Sequence, residues 1–156
     1  MMAMRPKPGA DLGRTVTHRL HVLQKLTDRV SQQAYVEKTG MPLGEGRCLA
    51  AVGAFSPLSV GDLAAHANLD KGQASRAAQA LLDQGLVSKE ASAIDGRGVV
   101  LSLTPEGVQV WRRLMKVIRD RNDEIVACLT PDEREVLDAL LDRLVEHARA
   151  ALGESQ

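Results

Sequence analysis

The stretch of residues 58–104 constrains the fold more than any other part of the chain, because it specifies two short helices and a β-hairpin in succession. Ser59 and Asp70 each precede a segment of helical apolar spacing, where a short oxygen-bearing side chain caps free backbone N–H groups. Gln73 follows Asp70 by three residues and completes an aspartate variant of the capping box. The two helices are therefore predicted to meet at a tight turn at Asn68-Leu69.

The second helix is predicted to run from Lys71 to Gln84, with Gly85 as the left-handed residue that closes it. Apolar residues spaced three and four apart give the helix one buried side: Ala74, Ala77, Ala78, Leu81 and Leu82. Its other side carries polar residues of the kinds that contact DNA bases and phosphates: Lys71, Gln73, Ser75, Arg76 and Gln79.

The hairpin follows this helix directly. Strands are predicted at Leu86–Lys89 and Val99–Leu103, joined by a turn that contains two glycines. Asp95 is expected to stabilise the turn, either by accepting hydrogen bonds or by pairing with Arg76 or Arg97. Arg97 at the tip is well placed to enter a narrow minor groove, where the negative potential is strongest.

Four motifs of this region follow one another along the chain: Leu69–Arg76, Leu81–Val87, Asp95–Arg97 and Leu103–Gly107. In this order they resemble the winged-helix core of the MarR family of bacterial transcriptional regulators. The resemblance implies a mainly α fold with a small β wing, a winged helix-turn-helix, in which the N- and C-terminal helices form a dimerisation region. It also implies double-stranded DNA as the partner. The residues then expected to contact DNA are Ser59, Lys71, Gln73, Ser75, Arg76, Gln79 and Arg97.

The helical pattern outside this core predicts the domain organisation. Residues 1–11 are expected to form a flexible arm, and residues 43–107 the winged helix-turn-helix lobe. Residues 12–40 and 108–152 are expected to form the dimerisation region, because a monomer would expose their apolar stripes to solvent. The residues predicted at the dimer interface are Val16, Leu20, Leu137, Leu141 and Leu144.

Local signals place the remaining helix boundaries. The first long helix is predicted to begin at Leu12 and to end near Gly40. A helix is predicted over Glu45–Phe55, where Ser56-Pro57 ends it. Thr104-Pro105 and Thr130-Pro131 both combine a capping hydroxyl with proline at the first helical position, so each is predicted to start a helix.

The formal net charge of zero argues mildly against nucleic acid as a partner, since most affinity for DNA comes from neutralising phosphates. The charge is unevenly distributed, however. Residues 1–29 hold six cations and two acids, a net +4, whereas residues 130–156 hold three cations and seven acids, a net −4. The alternative to a DNA-binding regulator is therefore a winged-helix module that binds protein and has lost DNA binding.

The family resemblance also implies a small effector, often an aromatic acid, in a cleft between the dimer helices and the DNA-binding lobe. The residues that are candidates for such a site are Arg14, His18, His21, Arg47, Phe55 and Trp111. The alternative interpretation is that these residues are surface or interface groups. His18 and His21 alone do not make a metal site, and no metal or other cofactor is expected.

Cys48 and Cys128 are the two cysteines of the chain. Cys48 adjoins Arg47 and could serve a thiol-based redox sensor, but a small buried hydrophobe is the simpler interpretation. No apolar segment has the length of a membrane span or of a signal peptide, so a cytoplasmic location is expected. No catalytic constellation is present, and an enzyme is not expected. The prediction is a homodimeric repressor that binds a pseudopalindromic operator and is released by a small ligand.

Overall fold

The computed structural model describes residues 11–92 and 98–154. These residues form six α-helices and an antiparallel pair of β-strands, which confirms the predicted fold class. In chain order the elements are α1 Val16–Thr39, α2 Leu43–Phe55, α3 Val60–Ala67, α4 Lys71–Asp83, β1 Val87–Ala91, β2 Val99–Leu103, α5 Pro105–Ile125 and α6 Pro131–Ala151. The chain divides into two compact units, Met1–Ile118 and Arg119–Gln156, so that α5 begins in the first unit and ends in the second.

Helix α1 begins at Val16, four residues later than the apolar pattern predicts, because Thr15 caps it. The Thr15 hydroxyl accepts a hydrogen bond of 3.3 Å from an N–H of the first turn. Leu12–Arg14 instead form a short 3-10 helix of their own. At the other end Gly40 is left-handed, with φ +73°. The predicted end of the helix is thus confirmed, and the predicted start at Leu12 is wrong.

Two further helix boundaries differ from the prediction by one or two residues. Helix α2 begins at Leu43 rather than Glu45, because the extended Pro42 occupies the cap position and Glu45 lies within the first turn. Helix α4 ends at Asp83, and Gln84 is its C-terminal cap. Both differences concern the terminal turns and do not change which side of either helix is buried.

The junction between α4 and β1 explains why the first strand starts later than predicted. Gly85 is left-handed, with φ +70°, as predicted. The Leu86 N–H then donates to the Leu81 carbonyl at 3.0 Å, so Leu86 belongs to the helix closure rather than to the strand. The sheet pairing therefore begins at Val87, which lies opposite Leu103.

The small sheet is attached to the helices through one residue of the loop before α3. Leu58 and Leu101 exchange backbone hydrogen bonds of 3.3 Å and 2.8 Å. Leu58 is buried, with 4% of its surface exposed, and Leu101 is fully buried. The β2 strand therefore has a partner on each side over this residue, which holds the base of the wing against the helical core.

The core of the first unit consists mainly of leucine, valine and alanine. Its largest fully buried side chains are Leu49, Leu63, Leu81, Leu101, Leu114, Val52 and Cys48. They come from α2, α3, α4, β2 and α5, so the helix-turn-helix is held from behind by α2 and by the first part of α5. This packing leaves the polar side of α4 facing outward.

The start of α5 is joined to the α4–β1 junction by Thr104. Its hydroxyl donates to the Gly85 carbonyl at 2.6 Å and accepts from the Gly107 N–H at 3.0 Å. The Thr104 N–H donates to the Leu86 carbonyl at 3.1 Å. The predicted helix start at Thr104-Pro105 is confirmed, and the threonine also fixes where α5 leaves the wing.

The second unit contains α6, which begins at the predicted start Thr130-Pro131 and has a capping box there. The Thr130 N–H donates to Glu133 Oε2 at 2.8 Å, and the Glu133 N–H donates to Thr130 Oγ1 at 3.3 Å. None of the residues of α6 is buried in the single chain. Across residues 11–92 and 98–154, no helix is both long and apolar enough to cross a membrane.

Candidate nucleic-acid interface and effector cleft

Helices α3 and α4 are connected by a turn whose geometry comes from side-chain caps. The Ser59 hydroxyl accepts from the Asp62 N–H at 3.1 Å, and Asn68 closes α3 in the left-handed conformation with φ 54°. The Asp70 carboxylate accepts from the Gln73 N–H at 2.7 Å, while Gln73 Oε1 accepts from the Asp70 N–H at 3.2 Å. The predicted capping box of α4 is thus confirmed, as is its start at Lys71.

Helix α4 buries small residues and exposes polar ones. Its buried residues are Ala74, Ala77, Ala78 and Leu81, and Leu82 is half-buried. The residues predicted to contact DNA on this helix are all exposed: Lys71, Gln73, Ser75, Arg76 and Gln79. Because alanine side chains are short, the helix can lie close to α2 and α3 while its polar side remains free for a partner.

Arg76 extends back along α4 toward the N-terminal end of the helix. A Cβ atom on Gly72, four residues earlier, would lie 3.5 Å from Arg76 Nη1, so the guanidinium passes beside this glycine. Arg76 and Gln73 also border a shallow cleft of about 260 Å³ that reaches Glu45 in the first turn of α2. The cation therefore lies near the end of the helix that helix-turn-helix proteins direct toward base edges.

The structure describes only some of the other residues predicted to contact DNA. Ser59 is half-buried, and its hydroxyl oxygen is engaged in capping α3. Gln79 is exposed, and its Nε2 donates to Asp83 Oδ1 at 2.8 Å. Asp95 and Arg97 lie outside the described residues, so the roles predicted for them at the wing tip stay predictions.

A second cleft, of about 290 Å³, opens among α1, α2, α3 and α5 within the first unit. The Phe55 and His66 rings stack at one side of it, with centroids 4.0 Å apart and planes inclined by 16°. Arg47 also borders the cleft, and its Nη2 donates to Asp28 Oδ1 at 2.7 Å. Of the residues predicted to bind an effector, the structure thus brings Arg47 and Phe55 together.

The remaining predicted effector residues do not join this cleft. His18 and His21 border a separate open depression along α1, and Arg14 is exposed in the 3-10 helix before it. The Trp111 indole N–H donates to the Ala50 carbonyl at 3.2 Å, so this ring holds α5 against α2. The predicted set therefore separates into distinct places on the first unit.

Among the lining residues that sequence reasoning missed are Tyr35, His66 and Met115, which have the larger side chains of chemical interest. Tyr35 is buried, with 6% of its surface exposed, and its ring lies where a side chain on Gly46 would otherwise be. Burial raises the pKa of the Tyr35 hydroxyl, so it stays protonated and available as a donor at neutral pH. The signal that was available is scarcity, because the chain has one Tyr, one Phe and one Trp. Phe55 ends α2, and Tyr35 and Trp111 both contact this helix.

Comparison with known proteins identifies the chain's relatives. The MarR family model matches residues 39–98, which include α2, the helix-turn-helix and β1. A crystal structure of a MarR family transcriptional regulator from Silicibacter pomeroyi is 25% identical in sequence and superposes with a TM-score of 0.76. The alignment covers 92% of this chain and 96% of that one. The chain is thus similar to MarR family transcriptional regulators, in sequence over residues 39–98 and in fold over most of its length.

Two other MarR-like structures contain bound ligands. The MarR family protein Rv2887 of Mycobacterium tuberculosis, solved with salicylic acid, is 26% identical with a TM-score of 0.70, covering 83% of this chain and 96% of that one. The PcaV transcriptional regulator of Streptomyces coelicolor, solved with its natural ligand, is 25% identical with a TM-score of 0.68, covering 95% and 99%. No curated protein sequence matches the chain significantly.

The two cysteines of the chain have different environments. Cys48 is fully buried in the core, and Cys128 is exposed. Burial, and to a lesser degree the Glu45 carboxylate, raises the pKa of the Cys48 thiol to about 11. Since a redox-sensing cysteine needs an accessible thiolate, the structure disfavours the thiol-based alternative and favours a packing role for Cys48.

The raised pKa of Cys48 predicts that the folded chain loses stability in alkaline solution. The unfolded thiol titrates near 9.0 and the folded one near 11, so the unfolded chain releases its proton first as the pH rises. Stability is fully present below pH 9 and falls as the pH rises through 11, by about 3 kcal/mol in total. Urea unfolding at several pH values should give a shallower decline for Cys48→Ala than for Cys128→Ala. Equal declines for the two variants would contradict this account.

Proposed function

We propose that the chain acts as a homodimer that binds a pseudopalindromic DNA operator through α4 and the wing. The observation that carries the proposal is the capped helix α4, which buries its alanines and presents five polar side chains on one exposed face. In a dimer the two copies of α4 would enter successive major grooves, with half-sites about 10 base pairs apart. Each wing would then lie over a flanking minor groove, with Arg97 at its tip.

The apolar side chains of α1 and α6 support the dimer. In the single chain they are about half exposed, an arrangement that soluble monomers avoid over a continuous surface. On α1 these residues include Val16, Leu20, Leu23, Leu26 and Val30, and on α6 they include Val136, Leu140, Leu141, Leu144 and Val145. Leu137 of α6 is half-buried. A second copy of the chain would cover such helices and would double the DNA contacts of a protein whose net charge is zero.

The cleft between α1, α2, α3 and α5 supports an effector. Its stacked aromatic pair can receive a ring, and the Arg47 guanidinium can receive a carboxylate. The proteins similar to this chain include a MarR family protein solved with salicylic acid. Salicylic acid has both an aromatic ring and a carboxylate. We therefore propose that the ligand is an aromatic acid and that the chain is a repressor that leaves its operator when the acid binds. This mechanism requires the acid to bind the conformation that releases DNA more tightly than the conformation that binds DNA.

Fluorescence anisotropy on DNA from upstream of the chain's own gene tests the DNA-binding proposal. Arg76→Ala is expected to weaken binding about 100-fold, because each dimer loses two charge-assisted contacts of a few kcal/mol at most. The wild type should also lose affinity steeply, by about a thousandfold between 50 and 200 mM salt, if six or more phosphates are neutralised. Arg97→Ala should weaken binding as well, through the minor groove.

Arg113→Ala provides the matched control for charge. Arg113 is exposed on α5, outside the helix-turn-helix, so its removal changes the net charge equally and leaves α4 intact. Operator binding by this variant should stay close to that of the wild type. If Arg76→Ala and Arg97→Ala bind DNA as well as Arg113→Ala does, DNA binding through this face is excluded, and the protein-binding module suggested by the neutral charge becomes the better explanation.

A further inference from the structure

The arginine that borders the effector cleft already forms an ion pair with an acidic residue of the chain. Arg47 Nη2 lies 2.7 Å from Asp28 Oδ1, and the two side chains are 29% and 31% exposed. Arg47 is the only lysine or arginine among the described residues that border this cleft. Asp28 instead borders the neighbouring depression on α1, so it reaches Arg47 from outside the cleft.

We propose that Asp28 is an internal competitor for anionic effectors. It holds the position on Arg47 that a ligand carboxylate would take, and it thereby sets both the affinity and the charge preference of the cleft. The inference rests on the effector site of the proposed function and adds to it the group that regulates entry. It makes Asp28 a specificity determinant even though Asp28 does not line the cleft.

When an acid enters the cleft, one cation, Arg47, faces two anions, which are Asp28 and the carboxylate of the ligand. An entering carboxylate must either displace Asp28 from Arg47 or remain beside it as a like charge, and both arrangements weaken binding. A neutral aromatic ligand that uses the Phe55–His66 stack meets neither penalty. The cleft as it stands therefore accepts acids only when their bond to Arg47 is better than the bond that Asp28 makes.

The position of Asp28 links ligand entry to the packing of α1 on α2. Asp28, Gln32 and Tyr35 lie at positions i, i+4 and i+7 of α1, which places them on one side of the helix. Gln32 Oε1 accepts from the Leu43 N–H at 2.8 Å, and the Tyr35 ring packs on Gly46. When a ligand takes Arg47 from Asp28, α1 loses one of the contacts on this side that hold it to α2.

Calorimetric titration of the full chain with benzoate tests the proposal. Asp28→Asn should bind benzoate about fivefold more tightly than the wild type, because losing a partly exposed ion pair changes a binding constant by about this factor. Glu37→Gln removes an equal charge from an exposed site on the same helix, and Glu37 is not among the residues that border the cleft. This control variant should bind benzoate as the wild type does.

Two further titrations separate competition from simple positioning. Arg47→Gln should lose most benzoate affinity, and benzamide, which is uncharged, should bind wild type and Asp28→Asn equally. If Asp28→Asn weakens benzoate binding or leaves it unchanged, or if no variant binds benzoate, the competitor role is overturned. Because these titrations contain no DNA, such a result leaves the operator binding tested with Arg76→Ala untouched.

Discussion

Gly107→Ala is expected to lower the free energy of unfolding by about 3 kcal/mol or more, because a Cβ atom at this position would overlap the Leu86 carbonyl. Neither partner can move freely. The Leu86 carbonyl accepts from the Thr104 N–H at 3.1 Å, and the Gly107 N–H donates to the Thr104 hydroxyl at 3.0 Å. Separating the two backbones would therefore break the hydrogen bonds that join α5 to the start of the wing.

Urea denaturation followed by circular dichroism measures this effect, with Gly44→Ala as the matched control. Gly44 is also helical and lies in the first turn of α2, but a Cβ atom there would have no neighbour within 4 Å. The control variant should be as stable as the wild type or more stable by up to about 1 kcal/mol, since alanine is the better helix former. Equal stability of Gly107→Ala and Gly44→Ala would show that the close approach of α5 to the wing is dispensable.

Leu144→Glu is expected to raise the dissociation constant of the proposed dimer about a thousandfold. Leu144 is 52% exposed in the single chain and lies in the apolar stripe of α6. Each dimer would lose two leucine side chains from its interface, at about 2 kcal/mol each, and would bury two carboxylates in their place. Sedimentation velocity over a range of concentrations should show a monomer where the wild type is a dimer.

Ala139→Glu is the control for this substitution. Ala139 is also exposed on α6 and lies outside the leucine stripe, so the same glutamate there adds the same charge. It should sediment as the wild type does, and circular dichroism should show both variants to be helical. If Leu144→Glu remains a dimer at micromolar concentrations, the interface lies elsewhere than on the leucine stripe of α6. A monomeric Leu144→Glu should also bind the operator weakly, because it presents only one copy of α4.

The helix boundaries and the polar face of α4 could be predicted from the sequence because the determining interactions are local. The capping boxes at Asp70 and Thr130 each join residues only three apart, and the left-handed Gly85 closes its own helix. The exceptions have local causes that the apolar pattern could not show. Thr15 moved the start of α1, and the Leu86 amide was already used by the helix when the strand should have begun.

The tertiary structure determines which residues come together at the cleft. Arg47 meets Asp28 across 19 residues of sequence, and the Phe55 ring stacks on His66 from a different helix. His18 and His21 have side chains and a spacing that are just as plausible for a ligand site, yet they border another surface. Residue type and spacing cannot distinguish these cases, because the distance between two helices depends on the packing of every side chain between them.

The sequence by itself determined which segments are helix, turn and strand, and which side of α4 is polar, since each depends on residues within one or two turns of one another. Only the tertiary structure shows that Gly107 has no room for a side chain and that Arg47 is the cation that borders the cleft. The physical reason is that Gly107 contacts the Leu86 backbone and Arg47 contacts Asp28 at separations of about twenty residues, where the local pattern carries no information about distance.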